Sequence, residues 1–148
     1  MMKIEHPATV VDRETFTITF RRSFAASRER VFEAWTTAAQ LALWWDPTGV
    51  PLTRCEIDAR VGGRFVFENA GHSPPFAGTY HVVDRPSKLV FDALGAIGTV
   101  SLETHGARTE MTVTIRCASA EHFAQFLEVG VAVNTDRTLD QLVAHLAG

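Results

Sequence analysis

From about residue 54 to residue 117 the sequence is a nearly unbroken series of short alternating segments and tight turns, and nothing else in it limits the fold so strongly. Cys55, Ile57, Ala59 and Val61 alternate with Arg54, Glu56, Asp58 and Arg60. Gly62-Gly63 turns the chain into Phe65 and Phe67, which alternate with Arg64, Val66 and Glu68. After a polar loop at 69–75 come Phe76, Gly78, Tyr80 and Val82; Asp84-Arg85-Pro86-Ser87 then turns into Leu89, Phe91 and Ala93. Val100 and Leu102 lead round His105-Gly106 to Met111, Val113, Ile115 and Cys117. A period of two marks half-buried strands. Strands joined by turns this short can pair only antiparallel.

The flanks supply one more strand and the helices. Phe16, Ile18 and Phe20 alternate with Thr15, Thr17 and Thr19, which brings the expected strands to seven, while residues 1–14 read as an unpatterned lead-in to a single domain over 15–148. Ser27 is placed to cap a helix with Glu29 in its first turn, carrying Val31, Phe32, Ala34 and Trp35 on one face and ending near Thr36. Thr37-Ala38-Ala39-Gln40 has the form of a capping box and opens a short helix with Leu41, Trp44 and Trp45, which Asp46-Pro47 stops. Ser119 caps the last element, with no proline beyond it. A single helix over 120–146 would be about 40 Å long. Its apolar stripe is Leu127, Val131, Leu139, Leu142, Val143 and Leu146, with Gly130 read as allowing close backbone approach.

These elements predict an α+β fold in which a twisted, seven-stranded antiparallel sheet curls around a long C-terminal helix, with two short helices after the first strand. A curved sheet and a straight rod cannot touch along their whole length, so an apolar space remains between them, the usual setting of a small-molecule site. The candidate ligand-binding residues are Trp44 and Trp45 at the mouth, Phe65, Phe67, Phe76, Tyr80 and Phe91 on the concave face, and Leu127, Val131 and Asn134 on the helix. The plain alternative for the tryptophans is that they seal the short helix to the sheet, and for some of the phenylalanines that they are simply core. Glu68, His81 and Asp92 fall on the outer face if the strands are regular. Asn134 and Arg137 lie three apart and are placed to share a helix face. The six histidines have no ligand-like spacing, no catalytic motif is present, and neither a metal nor a cofactor is expected. Gly71-His72-Ser73 reads either as a lid or as an ordinary polar loop.

Charge and composition remove other classes. With 14 Lys and Arg against 17 Asp and Glu, a net charge of −3 and scattered basic residues, a nucleic-acid groove is not expected. Apolar runs such as 129–133 are too short for a membrane span, and Glu5, Asp12 and Glu14 interrupt the segment a secretory signal needs, so the expected location is cytoplasmic. The two cysteines, Cys55 and Cys117, sit in strands and read as reduced core residues.

Several segments also resemble one family in the right order over residues 15 to 147. They are Arg21–Phe24 with Ala26, Val31-Phe32-Glu33-Ala34-Trp35-Thr36, Trp44-Trp45-Asp46-Pro47, Asp58-Ala59-Arg60-Val61-Gly62-Gly63-Arg64-Phe65, Gly78-Thr79-Tyr80 and Thr138-Leu139-Asp140-Gln141-Leu142. The chain is similar to the branch of the START-like (SRPBCC) superfamily named after the activator of heat-shock-protein-90 ATPase homologue. The resemblance implies a helix-grip fold and a cavity, but not one activity, because members bind lipids, sterols and hormones or catalyse polyketide cyclisation. Where many relatives carry a second glycine four residues after the one matching Gly130, this chain has Asn134. Three readings stay open: binding of a small apolar, aromatic or lipid-like molecule; a cyclase- or hydrolase-like enzyme using Glu68, His81 or Asp92; and an interaction protein for a chaperone. The resemblance also leaves homodimerisation open.

Overall fold

Both serine caps form as their positions demand. Ser27 Oγ accepts from Arg30 N–H at 3.2 Å and starts α1 (Arg28–Thr36), and Ser119 Oγ accepts from His122 N–H at 3.1 Å and starts α3 (Ala120–Glu128). Thr37 caps α2 (Ala38–Trp44) without the expected side-chain bond; its backbone carbonyl instead accepts from Gln40 and Leu41 N–H. The capping box is therefore absent. These features come from a computed structural model, which describes residues 9–69 and 75–147; the Gly71-His72-Ser73 segment read as a lid lies outside them.

Among the described residues the sheet has eight strands: β1 (Val10–Asp12), β2 (Thr17–Phe24), β3 (Arg54–Ile57), β4 (Arg64–Glu68), β5 (Phe76–Asp84), β6 (Lys88–Ala93), β7 (Ala96–His105) and β8 (Arg108–Arg116). They lie in the order β1-β2-β8-β7-β6-β5-β4-β3, each antiparallel to its neighbours, so the expected antiparallel sheet gains one strand. The extra one is β1, whose three residues pair with Thr17–Thr19 although their own sequence shows no alternation. The alternation read as far as Val61 stops at Ile57. Residues 58–63 instead make a tight loop in which Gly63 N–H donates to Arg60 O and Gly62 N–H to Tyr80 O, both at 2.8 Å.

Two features of β5 let the sheet curve. A Cβ at Gly78 would stand 1.8 Å from Asp92 O and 2.7 Å from the Phe65 ring, so only glycine permits this closeness. Two residues on, the pairing slips between Tyr80 and Val82, and the resulting bulge at His81 moves the inward face from Gly78 and Tyr80 to Val83. Bulges bend and twist a strand in this way.

The predicted single C-terminal helix is two. Gly130 adopts φ +86°, ending α3 with a left-handed residue, and α4 (Val131–Ala147) restarts with Asn134 N–H donating to Gly130 O at 2.9 Å. The glycine thus breaks the helix rather than easing its approach to the sheet. In α4 the first seven residues are all at least partly exposed, whereas Thr138, Leu139, Leu142 and Leu146 are buried. The junction of the two halves is fastened by Arg22, which faces inward from β2 between Phe20 and Phe24. Its guanidinium donates to Asp136 Oδ1 at 2.8 Å, to Asp136 O at 3.2 Å and to Asp140 Oδ1 at 3.2 Å. Arg22 is buried, but the side chains of Asp136 and Asp140 are 23% and 47% exposed, so losing either carboxylate costs less than the roughly 3–5 kcal/mol of a fully buried pair.

Among the described residues no helix is long and apolar enough to cross a membrane. Both cysteines are free; Cys117 is buried, and burial pushes the half-buried Cys55 thiol up to about 11.

The backbone geometry makes a test. Gly130→Ala should lose about 1 kcal/mol of stability in urea titration, from strain at positive φ alone. Gly78→Ala should lose more, because the atom its methyl meets is a backbone carbonyl that cannot swing aside. Equal losses would contradict this account of the sheet's curvature.

Candidate functional site

Where α4 parts from the sheet, a cavity of about 350 Å³ opens between them. That is at the small end of the roughly 300–1,000 Å³ of ligand sites. The sheet contributes Val113 and Ile115 of β8, Gly98 and Ala96 of β7, Phe91 and Ala93 of β6, and Phe76 of β5. The helices contribute Trp35, Phe126, Val131, Asn134, Thr135, Thr138 and Leu139, and the segment after α2 contributes Trp45 and Pro47. Leu94 and Val129, 58% and 70% exposed, complete the wall at its rim. Among the described lining residues none is charged.

Local joints hold these walls in place. Thr138 Oγ1 donates to Trp45 O at 2.9 Å, and Gln141 Nε2 donates to Trp44 O at 2.8 Å and to Asp46 O at 2.6 Å, so α4 grips the backbone on which Trp45 is carried. Asp46 in turn accepts from Thr48 N–H at 2.9 Å and from buried Asn69 Nδ2 at 2.7 Å. Trp45 packs edge-on to Phe67, with ring centroids 4.9 Å apart, and tilted to Phe76 at 5.1 Å. Gly98 pairs with Phe91, and a Cβ there would stand 2.6 Å from the Phe91 ring, so the glycine gives that ring its place across the neighbouring strand. On the opposite side of the mouth His122 Nδ1 accepts from Ala118 N–H at 3.2 Å, leaving Nε2–H to donate to Leu94 O at 3.0 Å. This ties α3 to the turn between β6 and β7.

Of the residues singled out from the sequence, Trp45, Phe76, Phe91, Val131 and Asn134 meet at this cavity. Trp44, Phe65, Phe67 and Tyr80 do not line it. Trp44 is buried under α1 with Nε1 donating to Ala34 O at 3.2 Å, which is the sealing role. Phe67 and Tyr80 close on Phe65 at 5.0 and 5.2 Å beside a residual void of about 10 Å³, room for a single water at most. Leu127 also misses the wall, because the break at Gly130 ends the continuous stripe and presents Phe126 instead. Asn134 is exposed at the rim rather than buried, and Arg137, also exposed, is not part of the lining.

Glu68, His81 and Asp92 face away from the cavity. Glu68 lies 3.6 Å from Arg54 and His81 pairs with Asp92, all with side chains open to solvent. The acid or base expected of these three in an enzyme reading is therefore not in the cavity. No group of three or more His, Cys, Asp or Glu among the described residues is arranged to hold a metal.

Lining residues not anticipated from the sequence include Trp35, Pro47, Val113, Ile115, Phe126 and Thr135. Val113 and Ile115 were legible as inward strand residues, but their place opposite Phe20 and Ile18 follows only from the pairing register. Trp35 was legible as a core face of α1. Its indole N–H, however, is the one buried side-chain polar atom without a partner among the described residues. A buried donor left unpaired costs about 1–3 kcal/mol.

A curved antiparallel sheet gripping a terminal helix, with an apolar cavity between the two, defines a helix-grip protein of the START-like class. More narrowly, the chain belongs to the activator of Hsp90 ATPase homolog 1-like family, whose family model matches residues 25–147. Among solved structures it is similar to a protein from Arthrobacter aurescens, with 25% identity, a TM-score of 0.87, and 97% of this chain and 92% of that one covered. A Rhodobacter sphaeroides protein matches at 26% identity and TM-score 0.78, over 88% of this chain and 91% of its own. Protein Ms6760 from Mycobacterium smegmatis, at 24% identity and TM-score 0.82 over 94% and 96%, shares the fold. No curated protein matches the chain.

Leu94 gives the site its own test. It holds φ +55° beside Gly95 at +82°, a two-residue hairpin turn in which Asn-Gly is the favoured pair and leucine is strained. Leu94→Asn should raise stability by about 1 kcal/mol in thermal or urea unfolding. A loss of that size would show that Leu94 contributes more by packing at the rim than its backbone costs.

Proposed function

We propose that this protein binds a small, uncharged apolar or aromatic molecule in the cavity between sheet and α4. The supporting observation is a cavity of about 350 Å³ walled by aliphatic and aromatic side chains from both layers, with no charged residue among its described lining. A charged ligand group placed inside would lose its hydration without gaining a counter-ion. Membership of a family whose fold commonly binds hydrophobic ligands agrees with this reading. The two free thiols suit a cytoplasmic setting. The cavity's size favours molecules of one or two rings or a short acyl chain over sterols.

Naphthalene is a suitable probe. Calorimetry should give a Kd on the order of 10–100 µM. Val131→Trp, which places a large ring in the cavity from a half-buried position on the first turn of α4, should weaken binding at least about tenfold with little change in Tm. Absence of naphthalene binding by the native protein, or binding untouched by Val131→Trp, would refute the cavity as the site.

A further inference from the structure

The unpartnered indole N–H of Trp35 stands out because its surroundings are otherwise satisfied. Trp44 Nε1 has Ala34 O, the Thr138 hydroxyl has Trp45 O, the Gln141 amide has two carbonyls, and the buried Thr109 hydroxyl donates to Ala26 O at 2.6 Å. Trp35 is 5% exposed and lies in the wall between the cavity and the aromatic core. An indole nitrogen only donates, so what it lacks is an acceptor. Its nearest aromatic neighbours, Trp44 and Trp45, stand edge-on at 5.0 and 6.4 Å. The nitrogen is closed off in this structure, so an acceptor entering from the cavity would need a ring beside it to turn. Trp44 is buried and pinned by its own hydrogen bond; Trp45 is half-buried and borders the cavity.

We infer that the cavity selects neutral molecules carrying a hydrogen-bond acceptor, of the aryl ketone, aldehyde or ester class, whose carbonyl oxygen meets Trp35 Nε1 while the hydrocarbon part fills the space between Phe91, Ile115 and Val131. This rests on the binding reading above and narrows it to a ligand class. The lining supplies no cation among its described residues, so a carboxylate in the same place would face one neutral donor and no counter-charge. A plain hydrocarbon would leave the donor as it is.

The test uses the full chain labelled with nitrogen-15, whose three tryptophans give three indole signals, titrated with 2-acetylnaphthalene and with 2-ethylnaphthalene, which match in shape. The ketone should bind at least about tenfold more tightly, about 1.4 kcal/mol. It should also move one indole proton downfield, assigned to Trp35 by its loss in Trp35→Phe, while the Trp44 signal stays. In Trp35→Phe the preference for the ketone should vanish and hydrocarbon binding persist; should that variant fold poorly, the shift in the native protein decides alone. Equal binding of both ligands with no downfield shift overturns the inference and leaves the binding reading standing. Failure of both to bind overturns the two together.

Discussion

The buried guanidinium of Arg22 determines where α4 can lie. By reaching Asp136 and Asp140 from the inner face of β2, it holds the middle of the helix against one edge region of the sheet. Leu139, Leu142 and Leu146 pack along the helix from there to its C-terminal end. A rod fixed along one half over a surface that curves away must stand off along the other half. The cavity is that stand-off, lined by the first turns of α4 and by the sheet beyond Gly78 and the bulge at His81. Burying a charged group for this purpose is costly unless every partner is in place, and two carboxylates and two backbone carbonyls, those of Arg21 and Asp136, converge on the one arginine.

The segments by which the family is recognisable turn out to be fastenings. Arg22 clamps α4; Thr138 and Gln141 grip the backbone of the Trp44-Trp45-Asp46 segment; Gly63 and Gly78 permit contacts that any side chain would block. The cavity walls, by contrast, are mostly valine, leucine, isoleucine, alanine and phenylalanine, residue types that fill cores everywhere. A scaffold held by specific joints around a generically apolar space suits a fold that commonly binds hydrophobic ligands. It also explains why membership says so little about the occupant. Within this generic space the unpartnered donor of Trp35 and the strained Leu94 at the rim stand apart from plain core packing.

Strand periodicity, serine caps and the absence of proline after residue 119 made the α+β class and the sheet–helix pocket legible. Other readings failed for identifiable physical reasons. β1 forms only because β2 offers an unpaired edge, which no pattern within Val10–Asp12 reveals. The helix break at Gly130 depends on one backbone torsion, and glycine in sequence is equally compatible with a continuous helix. Among the site candidates, Phe65 and Phe76 look alike in the text. The first is buried beneath Phe67, Tyr80 and Phe91, and the second borders the cavity because it begins β5.

By itself, the sequence determined most of the elements, their antiparallel pairing and the outward direction of Glu68, His81 and Asp92, which follow from local periodicity and short connections, while the family was carried by the resemblance of ordered motif segments. Tertiary structure alone decided which aromatic rings are packed and which are free to meet a ligand, and that one indole N–H lies buried without a partner. Those outcomes depend on where a curved sheet and a clamped helix lose contact, a property of distances between residues more than a hundred positions apart in the chain, such as Arg22 and Asp136.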